Sequence, residues 1–420
     1  MRAAAILALT MTATSVIAEA PLTSLRPVLR PDLAVTNITQ TVAVVAPTEA
    51  GLQDWIRAYR PRALSAGISA TTFDQAMSRA RYDADVIKRD RNQSEFTKTI
   101  WDYLDSAASD LRVKNGQAAL ARHNDKLVQI ERKYGVDKEV VVAIWGLESA
   151  YGTFRGSTPI ISALATLAYD GRRGAFFEEQ LTAALTILQN GDTSVANMTG
   201  SWAGAMGHTQ FMPTSFLSYA VDFTGDGKRD IWTDDPSDAL ASTAAYLKNS
   251  GWVKGQPWGV EVRIPDGFDY TLANRETLKM PGEWARIGIR DMNGRKVPNH
   301  GKASILLPAG AEGAAFMIFK NFDAIETYNT ADAYVIGVGH LSDRIQGAAK
   351  IQGAWPRGDR ALTYDERIEL QTRLTAAGFD TQKIDAKIGP LTINAVREYQ
   401  LSRGMTPDGY ASLRLLSSLR

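Results

Sequence analysis

Cysteine is absent from all 420 residues. That excludes disulfides, thiol catalysis and cysteine-ligated metal sites, and it removes the side chain through which a lipid anchor would attach. An excess of one charge is missing too. With 47 basic residues against 46 acidic ones, no net field draws the chain to nucleic acid or to an anionic membrane surface. Histidine is scarce, and His123, His208, His300 and His340 are scattered without a metal-ligand spacing. Neither a G-x-S-x-G elbow nor a phosphate-binding glycine loop is present, which weakens serine-hydrolase, zinc-amidase and nucleotide-dependent readings. Beyond residue 20 no apolar run is long enough to span a bilayer.

What is present begins with an export signal over residues 1–20. Arg2 is followed by a small, apolar stretch to Ala18, interrupted by Thr10, Thr12 and Thr14, with small-residue cleavage sites ending at Ala18 and Ala20. Cleavage there predicts a soluble, exported, periplasmic protein. Residues 21–49, with Pro21, Pro27, Pro31 and Pro47, read as an extended tether. Helical spacing then takes over. Leu52, Trp55, Ile56 and Tyr59 mark one apolar face, and Phe96, Ile100, Trp101, Tyr103 and Leu104 mark another. Thr71 or Thr72 offers a cap between them. Residues 117–134 predict one long amphipathic helix closed by Gly135.

The centre of the chain is residues 140–152, VVVAIWGLESAYG. Between Glu139 and Asp170, Glu148 is the only carboxylate. Asp137 can cap this helix and Gly152 can end it, which puts Glu148 in its last turn beside Ile144, Trp145 and Tyr151. A carboxyl poorly solvated there should hold its proton near neutral pH and suit general-acid work. The alternative is an ordinary acid facing water at a fraying helix end.

Other stretches leave two readings each. The turn around Arg172 and Arg173 could bind a substrate carboxylate, or be a solvated basic turn. Residues 201–213, SWAGAMGHTQFMP, could form a saccharide-binding wall in which Gly204 and Gly207 let the backbone approach a ligand and Gln210 supplies an amide; the alternative is a tight buried connection. Asp222, Thr224 and Asp226, with Gly227 next, start like a calcium loop, but Thr233 stands where a bidentate Glu is needed, so Asp234, Asp235 or Asp238 would have to supply the carboxylate. Against this, Asp235 and Pro236 make a good helix start, with Asp238 in its first turn. Residues 260–264 alternate as a strand that residues 305–307 and 316–319 could pair with. A last helix opens near Tyr328 and Tyr334, with Asn329 as its N-cap or facing the cleft. Residues 347–361 read as a linker, and residues 362–420 as three short helices too small to hold a large active site.

Several of these motifs, in this order, resemble the lytic murein transglycosylase B family over residues 51–347. They are WGLESAYG at 145–152, SWAGAMG at 201–207, QFMP at 210–213, the acidic loop at 222–232, and Tyr328, Asn329 and Tyr334. The final unit, with Leu370, Gln371, Gly378, Phe379, Gly389, Pro390, Thr392, Gln400, Asp408 and Gly409, is similar to a small peptidoglycan-binding domain, although Ala386 follows Asp385 where that domain usually has glycine. The resemblance implies a mainly α, lysozyme-like catalytic domain at 50–346 with a minor β element, and a three-helix binding module at 362–420. It implies Glu148 as the sole acid and base in a non-hydrolytic cleavage of the MurNAc–GlcNAc bond that leaves 1,6-anhydromuramyl ends. Ser201, Gln210, Tyr246, Tyr328, Asn329 and Tyr334 would line the glycan cleft, and Arg172 and Arg173 would meet the stem peptide. No cofactor is required, and a structural calcium ion would map to Asp222, Thr224, Asp226, the Lys228 carbonyl and Asp238. The implied partners are glycan strands and stem peptides, with no nucleic acid, membrane span or lipid anchor. A hydrolytic muramidase, with Asp170 or Asp222 as second carboxylate, and a non-catalytic murein-binding scaffold are the competing readings.

Overall fold

Capping decides where the first helices begin. A computed structural model of the chain describes residues 48–91 and 98–420. The expected signal, nearly all of the expected tether and Phe96 lie outside those residues. The Thr48 hydroxyl accepts the Gly51 N–H and starts α1 (Glu49–Ser65), so helix begins just inside the stretch expected to be tether. Ser69, rather than Thr71 or Thr72, caps α2 (Ala70–Met77). There follow α3 (Ala84–Arg91), α4 (Ile100–Ala107), α5 (Asp110–Arg122) and α6 (Asn124–Tyr134). The helix expected over 117–134 is thus two helices, broken at His123, whose backbone leaves helical geometry. Gly135 ends α6 in the left-handed region, as its position implied.

Next come α7 (Lys138–Ser149), a two-residue strand β1 (Thr158–Pro159), α8 (Ile160–Asp170), α9 (Gly174–Gln189), β2 (Thr199–Gly200), α10 (Pro213–Tyr219) and α11 (Ser237–Asn249). A second sheet has the order β4-β3-β6-β5 and is antiparallel throughout. It uses β3 (Gly259–Arg263), β4 (Arg290–Asp291), β5 (Ser304–Leu306) and β6 (Ala315–Ile318). The three expected strands are there, and the two-residue β4 was too short to leave a period. Between them lies α12 (Pro281–Arg286), and α13 (Lys320–Glu326) and α14 (Asp332–Ile345) complete the large region. The chain is mainly helical, and α15 (Tyr364–Ala376), α16 (Pro390–Ser402) and α17 (Leu413–Leu419) form the small C-terminal module.

Two helical cores adjoin along α11, which gives Ala239 to one and Leu240 to the other. One gathers Leu52 and Tyr59 of α1, Leu164 of α8 and Leu181 of α9. The other wraps α7, whose residues from Val140 to Gly146 are buried on every side by α5, α6, α11 and α14. Burial of each large aliphatic side chain there contributes roughly 1.5–3 kcal/mol. The sheet has a core of its own around Trp284, Ile305 and Met317.

Residues 347–361 connect the two regions but are not a loose linker. Ile351 and Trp355 pack on the α7 core, the Gln352 and Gly353 N–H groups donate to the Glu261 carboxylate, and Arg357 pairs with Asp105. The C-terminal module is docked as well. Asp408 Oδ2 accepts the Ala311 N–H at 2.9 Å, Arg414 pairs with Glu312, and Arg397 donates to the Ala273 carbonyl. In the module Ala386 adopts φ 60°, the left-handed geometry that explains why glycine is usual there.

Asp343 on α14 is partly buried, and its carboxylate accepts the Trp258 indole N–H at 2.9 Å. Burial pushes its pKa up to about 7. A raised carboxyl stabilises the fold below its unfolded value near 3.8 and loses that contribution as pH rises through about 7. Asp343→Asn keeps an acceptor for Trp258 without the charge. The gap in unfolding free energy between this variant and the parent should widen in the variant's favour from pH 4 to pH 7 and then level, reaching a few kcal/mol at about 1.4 kcal/mol per pKa unit. A gap that is flat across this range would show that the charge is not buried.

Candidate active site

The end of α7 is built around a reversal that no glycine makes. Ala150 and Tyr151 both take left-handed geometry, at φ 48° and 60°, so the helix stops at Ser149 and not at Gly152. The Tyr151 ring then folds back over Gly146, where a Cβ would stand 2.6 Å from the ring, and its hydroxyl donates to the Arg112 carbonyl. Arg112 in turn donates to the Gly146 carbonyl. Glu148 is left half-buried in the last turn, as its spacing predicted.

Tyr334, in the first turn of α14, donates its hydroxyl to Glu148 Oε1 at 2.6 Å. Burial, with the Glu148 charge added, raises the Tyr334 phenol well above its usual value, so it stays protonated and remains a donor. Behind it runs a row of rings. Tyr334 and Tyr328 are parallel with centroids 6.5 Å apart, Tyr328 and Tyr246 are 4.9 Å apart, and Tyr246 stacks on Tyr219 at 4.2 Å. Phe211 meets Tyr246 and Tyr328 edge-on. The Tyr328 hydroxyl donates to the Thr209 carbonyl and that of Tyr246 to the Thr327 carbonyl, which orients both rings. The row thus joins three residues singled out in the sequence with Tyr219, which was not. Tyr103 on α4, expected only as core, also bears electrostatically on Tyr334.

The 201–213 loop is the tight connection of the second reading, and it still presents polar groups. A Cβ on Gly204 would stand 2.5 Å from Leu164, and one on Gly207 2.3 Å from the Ile231 carbonyl oxygen. These glycines therefore serve internal packing and not close approach to a ligand. Ser201 Oγ accepts the Ala205 N–H, and its own proton is not used in that bond. Gln210 takes φ 52° and donates its amide to the Arg155 and Gly207 carbonyls, leaving Oε1 as its accepting end. Asn329 is not the N-cap of α14, which is Ala331; its carboxamide accepts the Ala331 N–H in a turn, and the residue is exposed.

His208, one of four histidines without a metal-ligand spacing, joins several segments here. Its N–H donates to the Ile231 carbonyl, its carbonyl accepts the Ser149 hydroxyl at 2.5 Å, and its Nδ1 accepts the Trp145 indole N–H at 3.1 Å. Burial lowers its pKa, so the ring is neutral. With Nδ1 accepting, the proton sits on Nε2 and is donated to the Thr233 carbonyl at 2.7 Å. Arg155 completes the joint by donating to the Trp232 and Thr233 carbonyls and pairing with Asp234. Only the position of His208 inside the 201–213 motif could have flagged it.

Of the three acids that could complete the cation loop, Asp238 does so. Oxygens of Asp222, Asp226 and Asp238 lie within 4.8 Å of one another. Asp235 instead accepts from Ser237, just before α11, and Asp234 is held by Arg155. Burial raises the Asp238 pKa against three backbone N–H donors, while the Gly227 and Gly225 N–H groups help hold the half-buried Asp222 below the usual carboxylate range. An all-oxygen set of three carboxylates suits a hard cation. Arg172 and Arg173 are not a free basic turn. Both grip the buried Asp90 carboxylate, Arg172 through two bonds of 2.6 Å, which ties α3 to α9. Among the described residues no contact joins them to the tyrosine row. Asp170 pairs with Arg91.

Comparison with known proteins bears on this arrangement. Residues 51–343 match the transglycosylase SLT domain family, and residues 363–419 match the putative peptidoglycan binding domain family. The chain is similar to membrane-bound lytic murein transglycosylase B of Escherichia coli, with 35% identity over 247 residues, 57% of this chain and 65% of that protein's length. Its fold is similar to that of SltB3 from Pseudomonas aeruginosa, solved with NAG-anhNAM-pentapeptide, at 50% identity and TM-score 0.85 over 88% of this chain and 99% of that one. Slt35 of Escherichia coli, solved in complex with calcium, matches at 30% identity and TM-score 0.59 over 71% and 93%.

His208→Phe keeps the volume but leaves the Trp145 N–H without its acceptor, while the Thr233 carbonyl keeps Arg155. The orphaned indole N–H costs about 1–3 kcal/mol. Denaturant unfolding should show a lower midpoint at unchanged slope. An unchanged midpoint would mean that this joint carries no stability.

Proposed function

This chain belongs to the transglycosylase SLT family, the lytic murein transglycosylases, and we propose that it cleaves the MurNAc-β-1,4-GlcNAc bond of peptidoglycan without water. Glu148 is the single acid and base. It protonates the bridging oxygen as that bond breaks, and then takes the proton of the muramyl C6 hydroxyl as this oxygen attacks C1, leaving a 1,6-anhydromuramyl end.

The observation that carries the reading is one half-buried carboxyl at a helix end, held by the Tyr334 hydroxyl at 2.6 Å and continued by the tyrosine row. A hydrolase of this kind uses a second carboxylate across the bond. Asp170 is engaged by Arg91 and Asp222 by its own loop, which favours a substrate hydroxyl as nucleophile. Ring faces suit the apolar faces of sugars. Tyr246, Tyr328 and Tyr334, with Ser201, Gln210 and Asn329, line the glycan cleft in this reading. The half-exposed outer edges of Arg172 and Arg173 outnumber their one acid and meet stem-peptide carboxylates. Residues 50–346 perform the cleavage, residues 362–420 hold the wall, and residues 1–20 direct the chain to the periplasm.

Calcium is structural in this reading. Asp222, Thr224, Asp226, the Lys228 carbonyl and Asp238 would hold it, and it would brace the loop whose Ile231 and Thr233 carbonyls receive His208.

Glu148→Gln should lose at least about 100-fold in turnover while still binding murein. Mass analysis of muropeptides from the parent should give products lighter by one water than hydrolysis products. Reducing ends would sink the non-hydrolytic step, and full turnover by the variant would sink Glu148. For the ion, calcium at 100 times its Kd should add about 2.7 kcal/mol to stability. The thermal midpoint should therefore rise on replacing a chelator with calcium, and Asp238→Asn should remove the rise. Equal midpoints in the parent would refute the site.

A further inference from the structure

Away from the tyrosine row, α4, the C-terminal half of α14 and the strap after it line an open pocket of about 400 Å³. Its α14 residues, His340 and Arg344, lie about 9 and 15 Å along the helix axis from Tyr334 by helical rise. Leu104, Ile351 and Trp355 give it an apolar wall.

Its polar side holds donors with spare capacity among the described residues. His340 is 8% exposed, and among the described residues neither ring nitrogen has a hydrogen-bond partner. Burial, aided by the Arg344 charge, pushes its pKa down to about 4, so the ring is neutral and keeps one N–H. The Arg344 side chain is 11% exposed, and only Nη2 is engaged, by Asp110 at 2.9 Å. Its spacing four residues after His340 puts the two on one face of α14. Ser109 Oγ accepts the Arg112 N–H, which leaves its own proton to give. Lys350 and Arg357 add positive charge, each shared with one exposed acid.

We propose that this cavity binds the terminal carboxylate of a short peptide. The carboxylate accepts from Arg344, His340 and Ser109, in the planar geometry that guanidinium favours. Small side chains lie against Leu104, Ile351 and Trp355. The volume sits at the low end of ligand pockets, enough for two or three small residues and too little for a glycan strand. The site does not depend on Glu148. Only the identity of the natural ligand as a murein stem peptide rests on the reading above.

The test titrates the full chain, labelled with ¹⁵N-histidine, with alanyl-alanine and with its C-terminal amide, following the His340 imidazole by NMR. The acid should give saturable shifts and the amide should bind at least 10-fold more weakly. Arg344→Gln should weaken the acid at least 10-fold. Ala354→Trp should do the same by obstructing the mouth from an exposed position on the strap, so the test survives if Arg344→Gln fails to fold. Glu148→Gln should bind unchanged. The proposal is overturned by no saturable shift, by equal binding of the amide, by inorganic phosphate displacing the dipeptide at equal concentration, or by loss of binding in Glu148→Gln, which would make the site depend on the catalytic carboxyl.

Discussion

The arrangement at the centre of this protein depends on how one buried, neutral imidazole is satisfied. His208 takes the Trp145 indole proton on one nitrogen and gives its own to the Thr233 carbonyl from the other. Its backbone meanwhile holds Ser149 and Ile231. Three separate segments end on this residue: the last turn of α7, the glycine-rich loop and the acidic loop. A protonated ring could not accept from Trp145, so the joint requires the neutral form that burial enforces.

With α7 anchored at one side by His208, Glu148 is held at the other by α14, which packs directly against α7. Tyr334 reaches it from the first turn of that helix, and Tyr328, just before the helix, continues the ring row through Tyr246 to Tyr219. Each phenol in the middle of the row donates to a backbone carbonyl, so the rings cannot turn freely. The proposed chemistry asks for this division of labour. One carboxyl moves protons, and a rigid aromatic surface orients a sugar whose own hydroxyl replaces water.

The C-terminal module is docked on the larger region, and its approach is shaped by both partners. Gly310 takes φ 67°, and a Cβ there would stand 2.5 Å from the Asp408 carboxylate. Asp408 accepts from Gln400 within the module and from Ala311 outside it, so one side chain serves the module's own turn and its contact. The strap before it is pinned by Glu261 and Asp105 and completes a pocket whose other walls come from α4, Ser109 and α14.

Much of the architecture was legible in the sequence because it follows from local rules. The apolar run from Val140 to Trp145 could only be a buried helix, and the single acid after it could only lie at that helix's end. Alternation at 260–264 marked a strand. What remained hidden depends on partners far along the chain. Ala150 and Tyr151 break α7 because Tyr151 has a site over Gly146, whereas local propensity pointed to Gly152. His208 shows no motif because its partners come from Trp145 and Thr233. Arg172 and Arg173 looked like a solvated turn until Asp90, some eighty residues earlier, was folded beneath them. Asp238 completes the acidic cluster because the chain folds back before α11, a distance that spacing cannot measure. The sequence by itself determined which residues form helices and which acid stands alone. Only the tertiary structure decided what each polar group faces, since a buried donor must find its acceptor wherever the fold brings one.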